Sequence, residues 1–174
     1  MSPPPATDTL DVRDKILATG QRIMGGKGFS AVGLNEVLSA AGVPKGSFYH
    51  YFGSKEAFGE ALLEDYFAAY LADMDRIFSQ PRKTRAQQLD AYFKAWMDNQ
   101  SCEDCQGKCL AVKLGAEVAD LSQSMRATLQ RGTAGIIGRL ATVLEAGTEE
   151  GSLAFSGTPQ AVAQSLYELW LGAS

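Results

Sequence analysis

Two short runs in this 174-residue chain carry residues whose types and spacing could do chemistry. The first is Pro44-Lys45-Gly46-Ser47-Phe48-Tyr49-His50-Tyr51-Phe52, followed by Ser54-Lys55. Stepped by three and four, as on a helix, it puts Phe48, Tyr51 and Phe52 on one face and Lys45, Gly46, Tyr49 and His50 on the other. The apolar face packs. The opposite face, with a cation, a missing side chain, a phenol and an imidazole, suits a polyanion. Free amides at the helix start, the Lys45 ammonium and the bare backbone at Gly46 would let a phosphate chain approach closely. Lys55, beside a Ser54 cap, repeats the arrangement ten residues on. Ser47 can donate to a base or a phosphate, and Tyr49 and His50 can stack on sugars, touch thymine methyls or bond phosphates. Asn35, just upstream, either bonds an adenine edge or serves as a polar residue near a helix start. His50 is the sole histidine and has no nucleophile and acid at readable spacing, which argues against a catalytic base.

The second run is Cys102-Glu103-Asp104-Cys105-Gln106-Gly107-Lys108-Cys109, which holds all three cysteines of the chain. An odd, crowded set is unlike a secreted disulfide framework. The reactive form of a thiol is the thiolate, favoured by cations and helix starts. Cys109 has Lys108 beside it, Lys113 one turn on and a predicted helix beginning at Leu110, so it is the candidate low-pKa thiol. Glu103 and Asp104 disfavour ionisation of Cys102 and Cys105, which suit a resolving role. Three uses stay open at this point. They are redox or electrophile sensing, a three-thiolate metal site completed by a carboxylate or a second chain, and inert thiols in a loop.

Helices must position both runs. Apolar spacing predicts helices over Val12 to about Gly26, Leu34–Ala41, Lys45 to Tyr51 or Phe52, and Lys55–Phe78. Further helices are expected over about Arg85–Asp98, Leu110–Asp120, Ser122–Glu145 and Pro159 to at least Leu171. No segment alternates with period two, so the fold class is all-α. Pro3, Pro4 and Pro5 make residues 1–10 a disordered arm. Residues 11–55 then form a helix-turn-helix DNA-binding domain, with Gly42 at the reversal between its second and third helices. Residues 56–174 form a helical sensing and dimerisation domain. The chain stops just after the apolar Leu166, Tyr167, Leu169, Trp170, Leu171 face, so a final helix is expected beyond Ser174. The helix from Pro159, with Val162, Leu166, Leu169 and Trp170, is the expected dimer surface.

Charge supports the division. Val12 to Lys55 carries six basic and two acidic residues, for +4, inside a chain of net charge -4, so the remainder is -8. A basic module that meets a polyanion is thus joined to an acidic body that repels it. With 45% apolar and 21% charged content, no signal-peptide pattern and no apolar run near the roughly 18 residues of a membrane span, a cytoplasmic location with no membrane partner is expected. No phosphate loop, nucleophile elbow or dinucleotide fingerprint is present, so neither an enzyme nor a cofactor is expected.

The run Gly28-Phe29, then Ala40-Ala41-Gly42-Val43-Pro44-Lys45-Gly46-Ser47-Phe48-Tyr49-His50-Tyr51-Phe52, then Ser54-Lys55-Glu56, resembles the amino-terminal domain of the TetR family of transcriptional regulators. The resemblance implies an all-α homodimer that sets its third helices in successive major grooves of a palindromic operator. Its contact positions fall on Asn35, Lys45, Gly46, Ser47, Tyr49, His50 and Lys55. Gly33 departs from the Ser or Thr often found capping the second helix. A narrower resemblance covers Lys45 to Phe58, Cys109-Leu110-Ala111-Val112-Lys113-Leu114-Gly115-Ala116-Glu117-Val118-Ala119-Asp120-Leu121-Ser122, and Leu166 to Ala173. These stretches are similar to the NemR branch of the family. That likeness implies a repressor released when reactive electrophiles or oxidants modify cysteine, with the sensing position on Cys109. Cys102 matches a second cysteine approximately, and Cys105 has no counterpart. The competing expectation is a conventional ligand pocket lined by Tyr66, Tyr70, Tyr92, Phe93, Trp96 and Met97.

Overall fold

In the computed structural model, the described residues are 6–101 and 110–173. Among them the chain forms eight α-helices and no strand. They are α1 (Ala6–Lys27), α2 (Leu34–Ala41), α3 (Lys45–Tyr51), α4 (Lys55–Phe78), α5 (Arg85–Ser101), α6 (Leu110–Leu121), α7 (Gln123–Glu149) and α8 (Pro159–Ala173). The described residues divide into two compact units, one of residues 6–66 with 110–128, the other of residues 67–101 with 129–173.

The first unit is built around aromatic and aliphatic side chains that the helical spacing brings to one side. Ile16, Leu17 and Met24 of α1, Val37, Leu38 and Ala41 of α2, and Phe48 of α3 are buried, as are Phe58, Leu62 and Leu63 of α4. α6 adds Leu110, Ala111 and Leu114, and α1 packs on α2, α3 and α6. The reversal after α2 uses Gly42 at φ 64° and ψ 35°, with Val43 N donating to Leu38 O at 3.0 Å. Glycine reaches that left-handed region at the least steric cost, so it favours the turn that aims α3.

The bounds of α1, α5 and α7 depart from the spacing, α5 running on from Asp98 to Ser101. Residues 6–10, expected within a disordered arm, belong to α1, which begins at Ala6. Ala6 to Leu10 hold neither proline nor glycine, so nothing in them opposes a helix. At the other end, α7 continues past Glu145 through Gly147. A side chain at Gly147 would collide with Leu153, so this glycine permits a close approach and does not end the helix. The stop comes at Gly151, with φ 77°. Pro44 is the N-cap of α3, one position earlier than a first-turn proline.

In the second unit, Phe67, Met74 and Phe78 of α4 are buried with Leu89 and Tyr92 of α5, Ile136, Leu140 and Leu144 of α7, and Ala163, Tyr167 and Trp170 of α8. Arg139 grips Asp75 with two hydrogen bonds, Nε to Oδ1 at 2.6 Å and NH2 to Oδ2 at 2.8 Å, and this holds the Asp75 carboxyl below its ordinary pKa.

Candidate nucleic-acid interface

α3 is two-faced, as its spacing requires. Phe48 is wholly buried, with its ring 5.4 Å from Phe58 and 5.2 Å from Phe52, and Tyr51 is half-buried. On the other side Lys45, Gly46 and His50 are exposed, and Tyr49 is 49% exposed. Lys45 Nζ lies 5.9 Å from the Tyr49 ring centre, the separation that one helical turn produces. A Cβ added at Gly46 would meet no atom within 4 Å, so the protein itself makes no demand for glycine there. Ser47 is half-buried. Asn35 is exposed on α2 and borders the same groove as Lys45, together with Ser39, Gly42 and Pro44. Six of the seven candidate contact residues therefore belong to α2 and α3.

The seventh, Lys55, does something the sequence did not reveal. Ser54 caps α4 as expected, its Oγ accepting from Ala57 N at 3.1 Å. Lys55 Nζ donates to Phe29 O at 2.9 Å and lies 4.6 Å from the Phe29 ring centre. One of its three donors thus fixes the connection between α1 and α2. Two further contacts hold that connection. Lys27 Nζ donates to Glu36 Oε1 at 2.5 Å, and Glu117 Oε2, on α6, accepts from Ser30 N at 2.8 Å. The Glu117 contact was not legible in the sequence, because nothing in the spacing links residues 87 positions apart.

Cys102, Cys105 and Cys109 lie outside the described residues. Among the described residues there is no group of three His, Cys, Asp or Glu side chains that could hold a metal ion. Of the aromatic residues expected to line a pocket, Tyr70, Tyr92 and Trp96 surround a cavity of about 220 Å³ with Met74 and Ile77. Tyr70 and Tyr92 share a hydroxyl hydrogen bond of 2.7 Å. Met97 is 54% exposed, and neither it nor Tyr66 or Phe93 lines that cavity. No helix among the described residues is long and apolar enough to cross a membrane.

Comparison with known proteins accords with this geometry. Residues 16–62 match the family described as bacterial regulatory proteins, tetR family, and residues 86–174 match the tetracyclin repressor-like C-terminal domain. The chain is 45% identical over 165 residues to the HTH-type transcriptional repressor NemR of Escherichia coli (strain K12), covering 94% of this chain and 82% of that protein. It is 30% identical over 168 residues to the transcriptional regulator AcuR of Cereibacter sphaeroides, covering 97% and 77%. The crystal structure of the reduced form of E. coli NemR superposes with a TM-score of 0.89 at 45% identity, covering 94% of this chain and 84% of that one.

Proposed function

Because the chain belongs to the TetR family and is a DNA-binding transcriptional regulator rather than an enzyme, we propose that it acts as a homodimeric, cytoplasmic repressor. It holds a palindromic operator through α3 and leaves it when Cys109 is oxidised or alkylated by an electrophile. The carrying observation is the exposed face of Lys45, Gly46, Tyr49 and His50 backed by the buried Phe48. A helix anchored by one aromatic face and bare on the other is built to enter a groove. Repression is supported by the 45% identity to a named repressor. Thiol control is supported by the solved reduced form of that relative and by the Lys108-Cys109 pair immediately before Leu110, where α6 begins. Dimerisation is supported by α8, where Leu169 is 72% exposed and Leu171 is also exposed beside the buried Trp170.

Binding of the reduced protein to its own upstream DNA, titrated with salt, tests the reading face. Lys45→Ala is expected to weaken operator and random duplex together and to reduce the slope of log K against log salt by about one, while leaving the thermal transition unchanged. A large loss of folding stability would show that Lys45 is structural. Gly46→Ala separates the partners differently. The helix gains up to about 1 kcal/mol from replacing glycine, and no protein atom stands in the way of the methyl group. If DNA backbone approaches Gly46 closely, the variant is as stable as wild type or more so, and binds operator about tenfold more weakly. Unchanged binding would move the contact elsewhere on α3.

A non-covalent effector is the second reading, favoured by the cavity between Tyr70, Tyr92 and Trp96. Asp73 and Arg76 also line it, so the cavity offers charged groups beside its apolar and aromatic walls.

A further inference from the structure

The connection from α1 to α2, residues 28–33, decides how α2 and α3 are aimed, and its backbone is held by side chains from two other helices. Phe29 and Val32 are buried, so the connection is seated in the core of its unit. Lys55 of α4 takes the carbonyl of Phe29, and Glu117 of α6 takes the next amide, that of Ser30, at 2.8 Å. Gly28, at φ 91°, makes room for the Glu117 carboxylate, which occupies the place a Cβ would need. α2 has no side-chain cap of its own at Gly33, so its entry direction depends on these outside anchors. α6 begins at Leu110, directly after Cys109 in the chain, and Glu117 stands seven residues along it, about 10 Å at 1.5 Å per residue.

We propose that Glu117 is a positioning residue that ties α6 to the turn aiming the DNA-reading helices, so that displacement of α6 opens the Glu117–Ser30 bond and lowers operator affinity. The bond is charge-assisted and reaches a backbone group that has no helical partner. α6 packs on α1 within the same unit, so a shift at its first turn carries Glu117 with it. The link to cysteine modification rests on the thiol reading above. The effect of Glu117 on DNA binding rests only on the DNA-binding role.

The full chain, reduced, is measured by fluorescence anisotropy on a duplex of its own upstream DNA and on a scrambled duplex of equal length, with amide exchange followed at Ser30. Glu117→Ala is expected to lose about tenfold in operator affinity, to stay within about twofold on the scrambled duplex, and to exchange Ser30 faster. Glu117→Gln keeps an oxygen acceptor and should recover most of the loss. Four results overturn the proposal. They are operator affinity within twofold of wild type despite a deprotected Ser30, parallel loss on both duplexes, a glutamine variant as weak as alanine, or an alanine variant that does not fold. In a second arm, N-ethylmaleimide is expected to bring wild type down to the level of Glu117→Ala and to change that variant no further. An equal further loss in both proteins overturns the transmission role. A wild type indifferent to N-ethylmaleimide removes the thiol reading and leaves the first arm to decide on Glu117.

Discussion

Phe48→Ala is expected to destabilise the DNA-reading unit by about 3–5 kcal/mol and to abolish operator binding at temperatures where wild type is fully folded. Phe48 has no exposed surface, and its ring meets Phe58 edge-on at 5.4 Å, Phe52 at 5.2 Å and Tyr49 at 5.4 Å. Each such aromatic pair contributes about 0.5–1.5 kcal/mol beyond burial. α3 is only seven residues long, too short to hold itself together in water. Removing the ring therefore removes the contact that attaches the reading face to the protein. Against a total stability of about 5–15 kcal/mol for a domain, a loss of this size is close to complete. Phe48→Leu keeps most of the volume and should cost no more than about 1.5 kcal/mol. Urea unfolding followed by circular dichroism, alongside anisotropy with upstream DNA, reads both numbers. An alanine variant within about 1 kcal/mol of wild type, binding DNA normally, would mean that the two faces of α3 have been assigned the wrong way round.

That contrast between faces was legible in nine residues because a helix converts spacing directly into direction. Phe48 and Lys45 are three apart, yet the first is wholly buried and the second exposed, and the identity of each residue announces its side. The same logic correctly gave eight helices among the described residues, and the Gly42 turn followed from glycine's access to positive φ. It failed where a residue's role depends on a distant partner. The spacing ends the seventh helix at Glu145, but α7 runs on through Gly147, over which Leu153 folds back. Lys55 reads as a free cation at a helix start, although one of its donors is spent on Phe29 O. Glu117 reads as one more charge in an amphipathic helix, and only tertiary packing brings it to Ser30. Of the candidate pocket, one-turn spacing could not tell which aromatic residues of α4 and α5 converge, and Tyr70, Tyr92 and Trp96 do so while Tyr66 does not.

The second large effect concerns the thiols. Wild-type protein treated with N-ethylmaleimide or hypochlorite is expected to lose at least tenfold in operator affinity, whereas Cys109→Ser stays within about twofold of its untreated value. Serine is close to cysteine in size and cannot form a thiolate, so the variant removes reactivity with little change in volume. The expectation rests on sequence alone, since Cys109 precedes Leu110, the first residue of α6, with Lys108 and Lys113 near it, and a positive helix end and cations favour a thiolate. Cys102 and Cys105 flank Glu103 and Asp104, which work against ionisation. An ordinary thiol with a pKa of about 8.5 is only about 3% thiolate at pH 7, and each unit of lowering multiplies the reactive fraction several-fold. Peptide mass spectrometry after brief alkylation should accordingly find Cys109 labelled about tenfold faster than the other two, and Cys102→Ser and Cys105→Ser should both still release DNA. If Cys109→Ser releases as readily as wild type, or if neither responds, Cys109 is not the sensor. Zinc content and thiolate charge-transfer absorbance then separate a metal site from the Tyr70–Tyr92–Trp96 cavity as the seat of control.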